Sequence, residues 1–176
     1  MQKNRLFIAI NLSNDVKEEL ARFKNDLPAK WVLPDNLHIT LSFIGDVIEG
    51  KVFEIKNIVS TIVNRFSCFE VRLKKVCYDS EVPRMIWVVG EDSPEFEKLK
   101  KDIEKELGLK VENKTIIHIT LARIKQWQWK MIEPEERPEI NENIDISFKV
   151  CSIELMESKL KRTGSEYNII ESYKLK

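Results

Sequence analysis

Histidine occurs only twice in the chain, and both copies open the same four-residue phrase, His38-Ile39-Thr40-Leu41 and His118-Ile119-Thr120-Leu121. An unperturbed imidazole titrates near ~6.5, so one copy can hold a proton while the other accepts one close to neutral pH. Identical phrasing around both points to joint acid–base work on a shared substrate. In an extended strand, residues i and i+2 share a face. Leu37, Ile39, Leu41 and Phe43 therefore fall on one side of the first strand, and His38, Thr40 and Ser42 on the other. In the second, Ile117, Ile119 and Leu121 oppose His118, Thr120 and Ala122. The apolar sides are expected to pack onto helices. The polar sides each present an imidazole and a hydroxyl to a common cleft.

Such a set suits phosphoester chemistry without a metal. One neutral imidazole takes a proton from water, and the other, protonated, gives one to the departing oxygen. The hydroxyls of Thr40 and Thr120 can donate to non-bridging phosphate oxygens, where transition-state charge sits. Arg123 lies on the far register of its strand by simple alternation, yet a long guanidinium at the strand end can swing to the phosphate and bind it bidentately. A surface ion pair is its other use. Zinc is the rival use of paired histidines, but it wants a third ligand, and none sits beside either phrase. No metal and no cofactor are expected. Trp127 and Trp129, spaced i and i+2, either stack a nucleobase or pack. Lys74, Lys75, Lys159, Lys161 and Arg162 read as solvated residues, with contact to an RNA end as the alternative.

The elements that must position these groups read as a repeat. Arg5 to Ile10 has the short, apolar, β-branched character of a buried strand. Ser13 or Asn14 can cap a helix whose stripe is Val16, Leu20, Phe23 and Leu27, and the strand of His38 follows. Met85 to Val89 is again a strand. Ser93 caps, Pro94 suits the first helical position, and Phe96, Leu99, Ile103 and Leu107 form a stripe that Gly108 ends. The strand of His118 comes next. We read an internal duplication, about 5–45 and 84–123, within a single domain spanning 1–176. Between the halves, Val52, Ile55, Val59 and Ile62 mark a further helix, and Phe69 to Cys77 alternates as a strand. Gln126 to Asn143 predicts loop or short helix. Ile144 to Glu157 and Tyr167 to Leu175 predict closing strands about a turn at Gly164.

Composition bounds the partners. Lys+Arg and Asp+Glu both number 29, so the net charge is zero, which argues against tracking along a nucleic-acid backbone but permits grasping one phosphate or one RNA end. Apolar content of 43% with 33% charged residues describes a globular chain long enough for a core. Cys68, Cys77 and Cys151 follow no metal-binding spacing and are expected to be reduced thiols. No signal peptide or membrane span is read, so the expected compartment is the cytoplasm.

The paired phrases resemble the signature of the two-histidine (2H) phosphoesterases. RLFIAI at the start, WVLPDNLHITLSFIG (31–45), PRMIWV (83–88), IHITLAR (117–123) and SKLKRTGSEY (158–167) are similar to the RNA 2′,3′-cyclic phosphodiesterase branch, also called RNA 2′-5′ ligase. The resemblance spans essentially the whole chain. It implies an α+β, bilobal fold with two antiparallel sheets flanking a central cleft, helices outside and pseudo-twofold symmetry. It also implies that His38 is the general acid and His118 the general base, opening a cyclic phosphate to a 2′-phosphomonoester, with Thr40, Thr120 and Arg123 on the phosphate. Where the family often has proline before the second histidine, this chain has Ile117, which leaves open what fixes the lead-in to that strand. The implied partners are RNA ends or small cyclic-phosphate nucleotides met by a monomer, with no membrane. Related substrates, 2′-5′ oligonucleotides or ADP-ribose cyclic phosphate, and a non-catalytic RNA-end binding module are the alternatives.

Overall fold

The computed structural model describes residues 3–112, 115–162 and 164–176; Met1, Gln2 and Thr163 of the closing phrase are among those outside the described residues. The chain opens with β1 (Lys3–Asn11), α1 (Asn14–Ala21), β2 (Ala29–Trp31), a 3-10 turn at 34–36 and β3 (His38–Ile48). Then come α2 (Glu49–Val63), β4 (Phe69–Tyr78), β5 (Met85–Gly90), α3 (Pro94–Glu106) and β6 (His118–Ile124). A short α4 (Gln126–Trp129) and a second 3-10 turn precede β7 (Asn141–Val150), β8 (Ser152–Lys161) and β9 (Gly164–Lys174).

The strands pair in the order β7-β4-β5-β6-β3-β1-β8-β9, with β2 added on β6. Every pairing is antiparallel. The expectation of two sheets becomes one continuously paired sheet whose halves meet at a single register pair, Ile39 opposite Ile119. That pair lies one residue beyond each histidine, so the junction of the halves is also where the two imidazoles sit. β1 is buried on both faces from Leu6 to Ile10. Leu6, Ile8 and Ile10 join the main core, while Phe7 and Ala9 form a small second cluster with Met156 and Tyr167.

The helices follow their stripes, with one exception. Ser93 Oγ accepts the Phe96 N–H at 3.3 Å, and Gly108, at φ +65°, follows the last turn of α3. α2 buries Ile55, Val59, Ile62 and Val63. α1 stops at Ala21 although its stripe runs on to Leu27, because the Asn25 side chain takes the Leu27 N–H at 3.1 Å and Pro28 follows. Among the described residues no helix is long and apolar enough to cross a membrane.

Two further readings are corrected. The single strand expected over 144–157 is two strands, because the chain leaves β4 and changes halves at Cys151 to pair β8 with β1. Nor are Cys68 and Cys151 free thiols: they are bonded to each other, and only Cys77 is free. Phe69 opposite Val150 ends the β4–β7 ladder, so the next residue of each strand is brought to a Cα separation of 4.6 Å, inside the usual disulfide range. Their 83-residue separation in sequence gave no sign of this.

Candidate active site

Both histidine strands carry the same irregularity. Against β1, Ile8 faces Ser42 and Ala9 faces Thr40, leaving Leu41 as an extra residue. Against β5, Ile86 faces Ala122 and Trp87 faces Thr120, leaving Leu121 extra. A bulge of this kind reverses the facing of the residues that follow it, in β3 as far as a second shift at Ile44. Leu41 and Ser42 are therefore both buried, as are Leu121 and Ala122. Ser42, expected on the cleft, turns instead to the helices and donates to Glu104 Oε1 of α3 at 3.3 Å, beside the Lys100–Glu104 ion pair. Phe43 and Arg123, expected on the far face, are thrown onto the cleft.

The cleft encloses about 520 Å³ and is lined by His38, Thr40, Phe43, His118, Thr120 and Arg123, among others. All five residues singled out from the sequence thus share one cavity. Each imidazole is held from behind: His38 Nδ1 lies 2.7 Å from the Asn36 carbonyl oxygen and His118 Nδ1 lies 3.0 Å from that of Ile116. A carbonyl can only accept, so Nδ1 carries the hydrogen in both rings and Nε2 is the nitrogen left to accept or exchange a proton. His38 Nε2 is 3.1 Å from Thr40 Oγ1, whereas His118 Nε2 has no hydrogen-bond partner among the described residues. Burial pushes the His38 imidazole below its ordinary 6.5; the Asn36 carbonyl opposes this, and the charges of His118, Lys17 and Arg123 add to it.

The lead-in to β6 is fixed without proline. Ile117 is buried, its carbonyl accepts the Gly90 N–H at 2.9 Å, and a Cβ on Gly90 would stand 2.9 Å from Ile117 Cγ2. Only glycine at 90 lets the two segments approach so closely.

Sequence reasoning missed the aromatic surroundings. Phe7 packs against His38 at 5.2 Å between centroids, and Tyr167 meets the same ring edge-on at 5.1 Å. Trp87 lies nearly parallel to His118 at 4.1 Å. Tyr167 stands in the closing phrase SKLKRTGSEY, which was the available signal for it; Phe7 and Trp87 read as core strand residues. Arg123 forms no carboxylate pair among the described residues and rests its Nη1 3.7 Å from Met85 Sδ. Trp129 is buried, meeting Tyr78 edge-on and Arg137 across its face, and Trp127 does not line the cleft. Nor do the singled-out lysines line it: Lys74 pairs Asp145 and Glu91, Lys159 pairs Glu157 and Lys161 pairs Glu166, while Lys75 and Arg162 are exposed. Among the described residues no three His, Cys, Asp or Glu side chains come together as a metal cluster.

Comparison with known proteins gives a consistent result. The family described as LigT like Phosphoesterase matches residues 10–87 and again 89–167, one histidine phrase in each match. The RNA 2′,3′-cyclic phosphodiesterase of Thermotoga maritima is 32% identical, over 94% of this chain and 92% of that protein. Among solved structures, TT0787 of Thermus thermophilus shares the fold with a TM-score of 0.81 at 24% identity, over 97% of each chain. Escherichia coli LigT complexed with phosphate does so at 0.77 and 23%, over 99% of each chain.

Proposed function

Because the chain belongs to the LigT-like phosphoesterases of the two-histidine superfamily, we propose that it hydrolyses RNA 2′,3′-cyclic phosphate ends to 2′-phosphomonoesters without a metal. The observation that carries the reading is the pair of Nε2 atoms presented to one cleft with two threonine hydroxyls and a guanidinium that no described carboxylate engages. His118 Nε2, without a partner among the described residues, takes a proton from water. The water oxygen bonds to phosphorus, the P–O3′ bond breaks, and the Nε2–H of His38 protonates the departing O3′. Thr40, Thr120 and Arg123 hold the non-bridging oxygens. A 5′-hydroxyl in place of water gives a 2′-5′ linkage by the same steps.

Residues 1–176 act as one domain, with each repeat supplying one histidine. Phe43, 72% exposed on the cleft wall and 6.1 Å from Phe7, offers the base a stacking surface that Trp127 and Trp129 do not. The zero net charge suits a terminal phosphate better than an extended nucleic-acid backbone. The test is a short RNA ending in a 2′,3′-cyclic phosphate, incubated with protein and EDTA. A 2′-phosphate product is expected. A 3′-phosphate, or loss of turnover with chelator, overturns the reading.

A further inference from the structure

Trp87 does not line the cleft, yet its indole lies against the imidazole that has to gain a proton: the ring centroids are 4.1 Å apart and the planes 27° from parallel. The repeat itself does not call for a large residue there. Trp87 faces Thr120 in the β5–β6 register, and the corresponding residue facing Thr40 in the β1–β3 register is Ala9. Space-filling does not explain the indole either. Trp87 Nε1 is buried with no hydrogen-bond partner among the described residues, a cost that phenylalanine would avoid. What the indole adds is a wider, more electron-rich face, the surface to which a cation is most strongly drawn.

We propose that Trp87 is a positioning residue for His118. This rests on the role given to His118 above. The indole face fixes the imidazole plane while the Ile116 carbonyl holds Nδ1, so Nε2 stays aimed at the attacking water. The same face steadies the positive charge the ring acquires as it takes the proton. Both effects are larger in the transition state than in the bound substrate, so they act on kcat rather than on KM.

The experiment compares wild type, Trp87→Phe and Trp87→Leu on the cyclic-phosphate RNA, alongside NMR of the two imidazoles in each full-length protein. Two histidines make the spectrum assignable with His38→Gln. We expect kcat to fall in the order Trp, Phe, Leu, by about tenfold at Leu, with KM within about twofold throughout. In wild type the His118 ring protons should be shifted upfield by the indole and should move back in the Leu variant, while His38 signals stay in place. A Leu variant with wild-type kcat and unmoved His38 signals overturns the proposal, as does a loss confined to KM. Should Leu fail to fold, Phe alone decides: reduced kcat supports the role and unchanged kcat sinks it. Wild type that does not open the RNA at all overturns the hydrolase reading, and this role with it.

Discussion

The two halves present one phrase on one kind of strand with a matching bulge at Leu41 and Leu121, yet they surround their histidines differently. His38 is hemmed by Phe7 and the edge of Tyr167, and its Nε2 already meets Thr40. His118 lies flat on Trp87, with no described group on Nε2. Five residues past each histidine, the bulge delivers a side chain to the cleft, Phe43 in one half and Arg123 in the other. A duplicated backbone supplies symmetry, but hydrolysis needs one group that gives a proton and one that takes it. The difference is made by Phe7 and Trp87 on the adjoining strands β1 and β5, by Tyr167 on β9, and by Phe43 and Arg123 beyond the bulges, so under the proposed reading the division of labour rests on these residues more than on the phrases themselves.

The sharpest way to break this comparison is to remove each imidazole in turn. His38→Ala and His118→Ala should each cost about 10²–10⁴-fold in kcat, and the double variant little more than the worse single one, because the two act as a unit. A single variant at near wild-type rate would leave its half without a chemical role.

The disulfide tests whether the halves need tying. Cys151 stands where the chain crosses between them, and Cys68 lies just ahead of β4. Cys68→Ser should lower stability by about 2–4 kcal/mol, since an 83-residue loop is no longer closed in the unfolded chain. Thermal unfolding with and without reductant measures this. The bond is also the feature a reducing compartment would oppose. An unchanged transition in reductant would mean the pair contributes nothing to stability.

Exchanging the residues that the bulges deliver should separate rate from binding. Arg123→Ala should cost about 10²-fold in kcat by removing charge stabilisation at the phosphate. Phe43→Ala should raise KM roughly fivefold, the loss of one weak stacking contact, and leave kcat near wild type. Equal effects of both on KM would erase the distinction between the two walls.

Part of this was legible in the sequence, and the reason is locality. His38 with Thr40 and His118 with Thr120 are two residues apart on strands, so spacing alone placed each hydroxyl on the same face as its imidazole. Ser42, Phe43 and Arg123 defeated the same rule because a bulge depends on pairing with β1 and β5, and nothing at Leu41 or Leu121 announces it. The break at Cys151, the Cys68–Cys151 bond and the approach of Phe7 and Tyr167 to His38 all join distant segments, which periodicity does not register. Gly90 was visible as a glycine, but its purpose depends on Ile117 passing across it.

The smallest expected effect concerns the proton on His38. Burial, then the charges of His118, Lys17 and Arg123, hold this imidazole below 6.5, against the pull of the Asn36 carbonyl. The folded chain therefore binds fewer protons at this site than the unfolded chain does between the two values. The site's contribution to stability is complete above the unfolded value and is lost as pH falls through the folded one. A phosphate anion beside the ring reverses the balance of charge and should draw the proton back, arming the acid only when substrate is present. NMR titration should find His38 below 6.5 alone and moved upward by a saturating nucleoside 2′-phosphate. Lys17→Met, which removes one of the repelling charges, should raise the value for the empty protein slightly and shrink the ligand-induced change. A His38 that titrates above 6.5 without ligand would mean the acid is charged before substrate arrives, and the contrast between the halves would then lie in shape alone.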